Sequence, residues 1–134
     1  MRYLSTLLLV LICCPAAHAE APANESFSFR NLGACSEEGI NPFASDRLLV
    51  KRKGTKLVVS GHVVLNCAVM PAKPSVQYAS QWVSISFEEQ SPSGAYTSCV
   101  CSNKVEFVLL NKVASGSSIY LVRGKSVSAR TTAP

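Results

Sequence analysis

Apolar and polar residues alternate with a period of two along most of this chain, and a helical period is nearly absent. That alternation puts successive side chains on opposite faces of an extended strand. The clearest case is "DRLLVKRKGTKLVVSGHVVLNC". A tight turn at Lys53-Gly54 would join Leu48–Arg52 to Thr55–Cys67, with Val50 opposite Leu57 and Leu48 opposite Val59. The same face continues through Gly61, Val63, Leu65 and Cys67, so Cys67 is expected to point into the core. Gly61 after Ser60 predicts a bend or bulge. Lys56, Ser60, His62 and Asn66 share the opposite, wet face, with Val58 and Val64 as apolar exceptions.

Other stretches follow the same rule. "WVSISFEE" sends Val83, Ile85 and Phe87 inward, and a strand from Cys99 to about Asn111 carries Cys101, Val105, Phe107 and Leu109 on one side. "FSFRNL" predicts a first strand and "IYLVRG" a last one. "MPAKPSVQYASQ", with two prolines, predicts a loop over Pro71–Gln77 leading into a short edge strand around Val76–Tyr78. Residues 127–134 are small and polar and are expected to form a flexible C-terminal tail. Short strands joined by turns predict an all-β fold: an antiparallel two-layer immunoglobulin-like β-sandwich of about seven strands, built as a single domain over residues 20–126.

The first residues read differently. Arg2, the apolar run Leu7–Cys14, Pro15 and the small-x-small triplet Ala17-His18-Ala19 make residues 1–19 a cleaved signal peptide, with the cut between Ala19 and Glu20. Ile12 before Cys13 and Cys13 before Cys14 do not supply the small residue that precedes a lipidated cysteine. The run is too short to span a bilayer, which takes about 20 residues, and no later segment predicts a transmembrane span. The expected product is exported, periplasmic or secreted.

Export decides how the cysteines read. Of six in the chain, cleavage leaves Cys35, Cys67, Cys99 and Cys101, an even set in an oxidising compartment and therefore a disulfide framework. Cys99 and Cys101 sit one residue apart on a strand, facing the same way about 7 Å apart, too far to bond each other without bending the backbone. Each then reaches its own partner. The favoured pairing is Cys67–Cys101 across the core with Cys35–Cys99; the swapped pairing is the alternative. Two chemical readings compete with the staples. A thiol-redox site would use Cys99 and Cys101, although the usual carrier is a Cys-x-x-Cys at a helix start. A metal site would join Cys99 and Cys101 to His62 or Met70, soft ligands suited to Cu(I). Zinc of the paired Cys-x-x-Cys type does not fit the spacing.

Charge adds one feature. Removing the leader takes away only Arg2 of the 13 Lys and Arg, leaving 12 against 8 Asp and Glu. That mild excess argues against nucleic acid as a partner. It is concentrated in "VKRKGTK", where Lys51, Arg52, Lys53 and Lys56 surround a turn and form a candidate binding tip for an anionic surface or partner. Catalytic parts are missing: no serine–histidine–acid motif, no Gly-rich phosphate loop, no HExxH. Glu88 and Glu89 are adjacent on a strand and face opposite ways, which makes a poor acid/base pair. Trp82 and Tyr78 cap one end of the core or, alternatively, form an aromatic patch.

Asn66-Cys67, the strand Val83–Phe87 and "CVCSNKVEFVLLNKVASGSSIYLV" together resemble small exported bacterial immunoglobulin-like β-sandwich proteins with an Asn-Cys at a strand end and a later Cys-x-Cys. The resemblance covers about Leu57 to Val122. It implies a sandwich fold and no established activity or cofactor. The expected function is a non-enzymatic, disulfide-stapled binding module for a protein or cell-envelope partner, working without a cofactor. A periplasmic copper or thiol-redox carrier built on the Cys-x-Cys pair is the alternative.

Overall fold

The alternating stretches form eight strands in a computed structural model that describes residues 26–33 and 45–134. They are β1 (Phe27–Asn31), β2 (Arg47–Lys53), β3 (Lys56–Asn66), β4 (Met70–Tyr78), β5 (Trp82–Gln90), β6 (Val100–Leu109), β7 (Ser118–Arg123) and β8 (Ser126–Thr132). The leader, its cleavage site and Cys35 lie outside the described residues. Within them no helix is long and apolar enough to cross a membrane.

Two four-stranded sheets stack face to face, ordered β1-β6-β3-β2 and β4-β5-β7-β8. The two-layer sandwich expected from the alternation is therefore what forms. One pair departs from the antiparallel rule: β5 and β7 run parallel, Val83 beside Ile119 and Ile85 beside Leu121. The chain manages this by visiting the other sheet in between, since β6 lies in the first sheet and supplies the crossover that parallel neighbours require.

Inward positions follow the predicted parity. Leu57, Val59, Val63 and Leu65 on β3 meet Val83 and Ile85 on β5, Val105, Phe107 and Leu109 on β6, and Ile119 and Leu121 on β7 in one buried cluster. Phe107 is fully buried. Phe29 and Phe27 of β1 lean on its ring at centroid distances of 4.9 and 6.1 Å.

Four expectations are corrected. The β2–β3 turn is Gly54-Thr55, with Lys53 opposite Lys56, so Val50 faces Val59 and Leu48 faces Gly61 rather than the partners expected. Gly54 takes φ of 60°, which suits glycine at the first central position of a II′ turn. The shift is two residues, so every side chain keeps its face. Secondly, Gly61 neither bends nor bulges its strand, because pairing runs unbroken through it to both neighbours. It is glycine for space: a Cβ there would lie 2.9 Å from Val105 Cγ2. Thirdly, Pro71–Gln77 is not a loop but most of β4, an edge strand that tolerates its prolines through a bulge between Ala72 and Ser75, with Lys73 at φ 44°. Lastly, the tail at 127–134 does not fray. It forms β8 against β7 and ends with Ala133 buried. Its inward residues are small (Ala129, Thr131, Ala133), which is why no apolar alternation announced it.

Polar ties close the open sides of the sandwich. Arg52 of β2 donates to the backbone oxygen of Pro134 at 2.9 and 3.1 Å and to Val113 O at 3.1 Å. Tyr78 Oη of β4 donates to Ser26 O at 2.6 Å, beside β1. Asp46, its side chain almost fully buried, accepts from Val64 N at 2.8 Å and from Arg123 Nη1 at 3.0 and 3.2 Å. Arg123 also holds Glu89, so one guanidinium joins the two sheets. Burial opposes the charge of Arg123, but the hydrogen bonds to Glu89 and Asp46 outweigh it and its pKa is raised.

Candidate functional site

The Asn66-Cys67 and Cys99-x-Cys101 motifs meet at one end of the first sheet. The β3–β6 register places Leu65 opposite Cys101 and Asn66 opposite Val100. Continued by one residue it brings Cys67 against Cys99, and these two are disulfide-bonded with Cα atoms 5.6 Å apart. The favoured Cys67–Cys101 bond is thereby corrected, and with it Cys35–Cys99. Sequence parity put Cys67 in the core, but it is half-buried just past the end of β3, and its neighbour is a strand of the same sheet, not one across the core. Cys101 is buried and is also a disulfide cysteine, not a free thiol.

Asn66 organises the approach to this bond. Its Oδ1 accepts from Ala68 N at 3.0 Å, Thr97 N at 3.1 Å and Thr97 Oγ1 at 3.1 Å, and its Nδ2 donates to Thr97 O at 2.5 Å. An asparagine supplies donor and acceptor together at a strand end where the ladder stops. The motif is thus a structural clasp. The copper and redox set fares differently. Cys99 and Cys101 are both in disulfides, not thiolates. His62 sits mid-strand between Arg47 and Lys104, on the outer face. Met70, the first residue of β4 in the second sheet, is exposed and borders a hollow with Cys67, Asn31 and Pro92. The four are not gathered, and no trio of His, Cys, Asp or Glu among the described residues is placed to hold a metal.

The strongest chemical pattern lies on the outer face of the first sheet. On β2, alternation sends Arg47, Leu49, Lys51 and Lys53 outward, all exposed. The register then sets Lys56 opposite Lys53, and the row Arg47–His62–Lys104 crosses β2, β3 and β6. Lys51, Lys53, His62 and Lys104 border one depression together with Leu49 and Glu106. Arg30 extends the face onto β1, where it pairs with Glu106.

Among the described residues nothing neutralises this charge. The described acids are spoken for: Glu106 by Arg30, Glu88 by Lys73, and Asp46 and Glu89 by Arg123. None pairs with Arg47, Lys51, Lys53, Lys56 or Lys104. Of the candidate tip Lys51, Arg52, Lys53 and Lys56, three residues therefore belong to a larger basic face. Arg52 does not: it points the other way, to Val113 and Pro134. The sequence reading missed Arg47 and Lys104. Parity along β2 was enough to place Arg47 with Lys51 and Lys53, whereas Lys104 needed the β3–β6 pairing.

The second sheet's outer face differs in kind. Its central rows carry Ser75, Gln77, Ser84, Ser86 and Tyr120, with Arg130 over the Tyr120 ring at 5.4 Å. Trp82 stands partly exposed at one end. Tyr78 is half-buried and bonded to Ser26, so it belongs to the core's end and not to an aromatic patch with Trp82. Compared with protein-family models, curated proteins and solved structures, the chain matches none.

Proposed function

We propose that this is an exported, disulfide-stapled and non-enzymatic binding module that docks on an anionic partner at the cell envelope through the outer face of its first sheet. The observation that carries the reading is the set Arg47, Lys51, Lys53, Lys56 and Lys104 on one face, with which none of the described acids pairs: Glu106, on the same face, is held by Arg30, and the others are paired away from it. Such a field attracts an oppositely charged surface and is screened by salt. Nucleic acid is a poor fit, because among the described residues no aromatic side chain interleaves with these cations. The cysteines serve the scaffold: with the leader removed and Cys67 bound to Cys99, Cys35 is the partner left for Cys101.

The test is cosedimentation of the oxidised protein with an envelope fraction, beside the exposed double variant Lys51→Glu/Lys104→Glu. The wild type sediments at low salt and is released as salt rises. The variant binds more weakly by well over about twenty-fold. Equal binding by the two proteins would remove the face from the account.

A further inference from the structure

We infer that the anionic partner is a lipid bilayer carrying acidic headgroups, on which the protein lies by its first sheet with Leu49 dipped among the headgroups. This rests on reading the basic face as the binding surface and names what that surface meets. Three observations point to a bilayer, the second and third favouring it over an acidic protein. The first is charge complementarity: Arg47, Lys51, Lys53, Lys56 and Lys104 present positive charge that no described acid answers. The second is Leu49. It is 61% exposed on the edge strand β2, between Arg47 and Lys51 on the same side of the strand, with Ser60 as its cross-strand neighbour. An apolar side chain standing clear among cations is the arrangement by which a peripheral protein enters the headgroup layer, the aliphatic stems of the lysines lying beside it and their ammonium groups reaching the phosphates.

The third is the kind of charge and where it stands. Four of the five cations on this face that no described acid pairs are lysines, spread over three adjacent strands. Lysine is a point charge on a flexible stem, whereas a fixed carboxylate pattern is better met by the planar fork of arginine. The guanidiniums that are bound in place, Arg30, Arg52, Arg123 and Arg130, are engaged within the protein. A layer of mobile headgroups needs no pre-set geometry, and each lysine or arginine near it strengthens binding about fivefold.

The experiment uses the full oxidised protein and phosphatidylcholine vesicles with or without phosphatidylglycerol. Native Trp82 is the chain's one tryptophan and lies on the opposite sheet, so it reports the far side. The second probe is Leu49→Trp in a Trp82→Phe background. On phosphatidylglycerol vesicles the protein is expected to sediment, Leu49→Trp emission to shift to the blue, and Trp82 emission to stay put. Lys51→Gln/Lys104→Gln, both at exposed positions and checked for unchanged melting, is expected to partition about twenty-fold less. Equal binding to both kinds of vesicle, or a blue shift at Trp82 without one at Leu49→Trp, would overturn the inference. Retention by the envelope fraction with the same lysine dependence, but none by lipid vesicles, would also overturn it and leave the binding face standing, with an acidic protein as its occupant. Failure on both would bring down the two together.

Discussion

Cys67 and Cys99 stand side by side on neighbouring strands, joined by a disulfide and by a hydrogen bond from Cys67 N to Cys99 O at 3.2 Å. The bond closes a loop with a sequence separation of 32 residues, which in the chain-entropy picture is worth about 3–4 kcal/mol. Non-reducing peptide mapping is expected to recover Cys67 with Cys99. Cys67→Ser/Cys99→Ser is expected to lower unfolding free energy by that amount while leaving the strands in place. Recovery of Cys67 with Cys101 would contradict the register.

What the sequence showed and what it hid divide along a physical line. Facing is local, because a strand alternates by geometry, and the inward set on β3, β5 and β6 was legible from residue type alone. Partners are not local. Cys67, expected in the core, is half-buried past the end of β3, and it was wrongly bonded, since nothing in the chain states that β3 and β6 are neighbours in one sheet. The Gly54-Thr55 turn shows the same limit in miniature: a two-residue shift changed every partner and no face. β8 was missed because its inward positions are too small to mark a strand, and Lys104 because its place on the basic face exists only once β6 lies against β3.

Gly61 tests the packing between those strands. Adding one methyl group forces Val105 to give way within a fully buried layer. Gly61→Ala is expected to destabilise by about 1–3 kcal/mol, read as a shift in urea midpoint with an unchanged slope. A neutral or stabilising result would mean the sheet yields more readily than a close-packed core should.

The ties between sheets make a separate prediction. Arg123→Leu strands the buried Asp46 carboxylate and is expected to lose about 2–4 kcal/mol, slightly less than a fully buried pair would lose because Arg123 is partly exposed. Asp46→Asn keeps an acceptor for Val64 N and is expected to be the milder change, about 1–2 kcal/mol. Thermal melts of the two variants should therefore rank Arg123→Leu below Asp46→Asn.

Alkaline stability follows from Tyr78. Burial raises its pKa, and the hydrogen bonds involving Ser26 and Asn111 only partly counter that rise. The folded chain thus holds the phenolic proton more tightly than the unfolded chain. Tyr78's contribution is full below the ordinary tyrosine range, about pH 10, and is lost as pH rises through the higher folded value. Tyr78→Phe is expected to cost about 0.5–1.5 kcal/mol near neutrality. Denaturation curves should show the gap between variant and wild type narrowing as the solution is made strongly alkaline. A gap that widens there would reverse the assignment.

The most direct test of the binding face compares two proteins of equal net charge. Lys51→Glu/Lys104→Glu reverses two charges on the first sheet's outer face, and Lys112→Glu/Lys125→Glu reverses two exposed charges elsewhere. Both are measured for retention by the envelope fraction at low salt. The first pair should abolish retention and the second should leave it near the wild-type level. Equal loss in both would mean that net charge alone holds the protein there and that the face of β2, β3 and β6 is not a site.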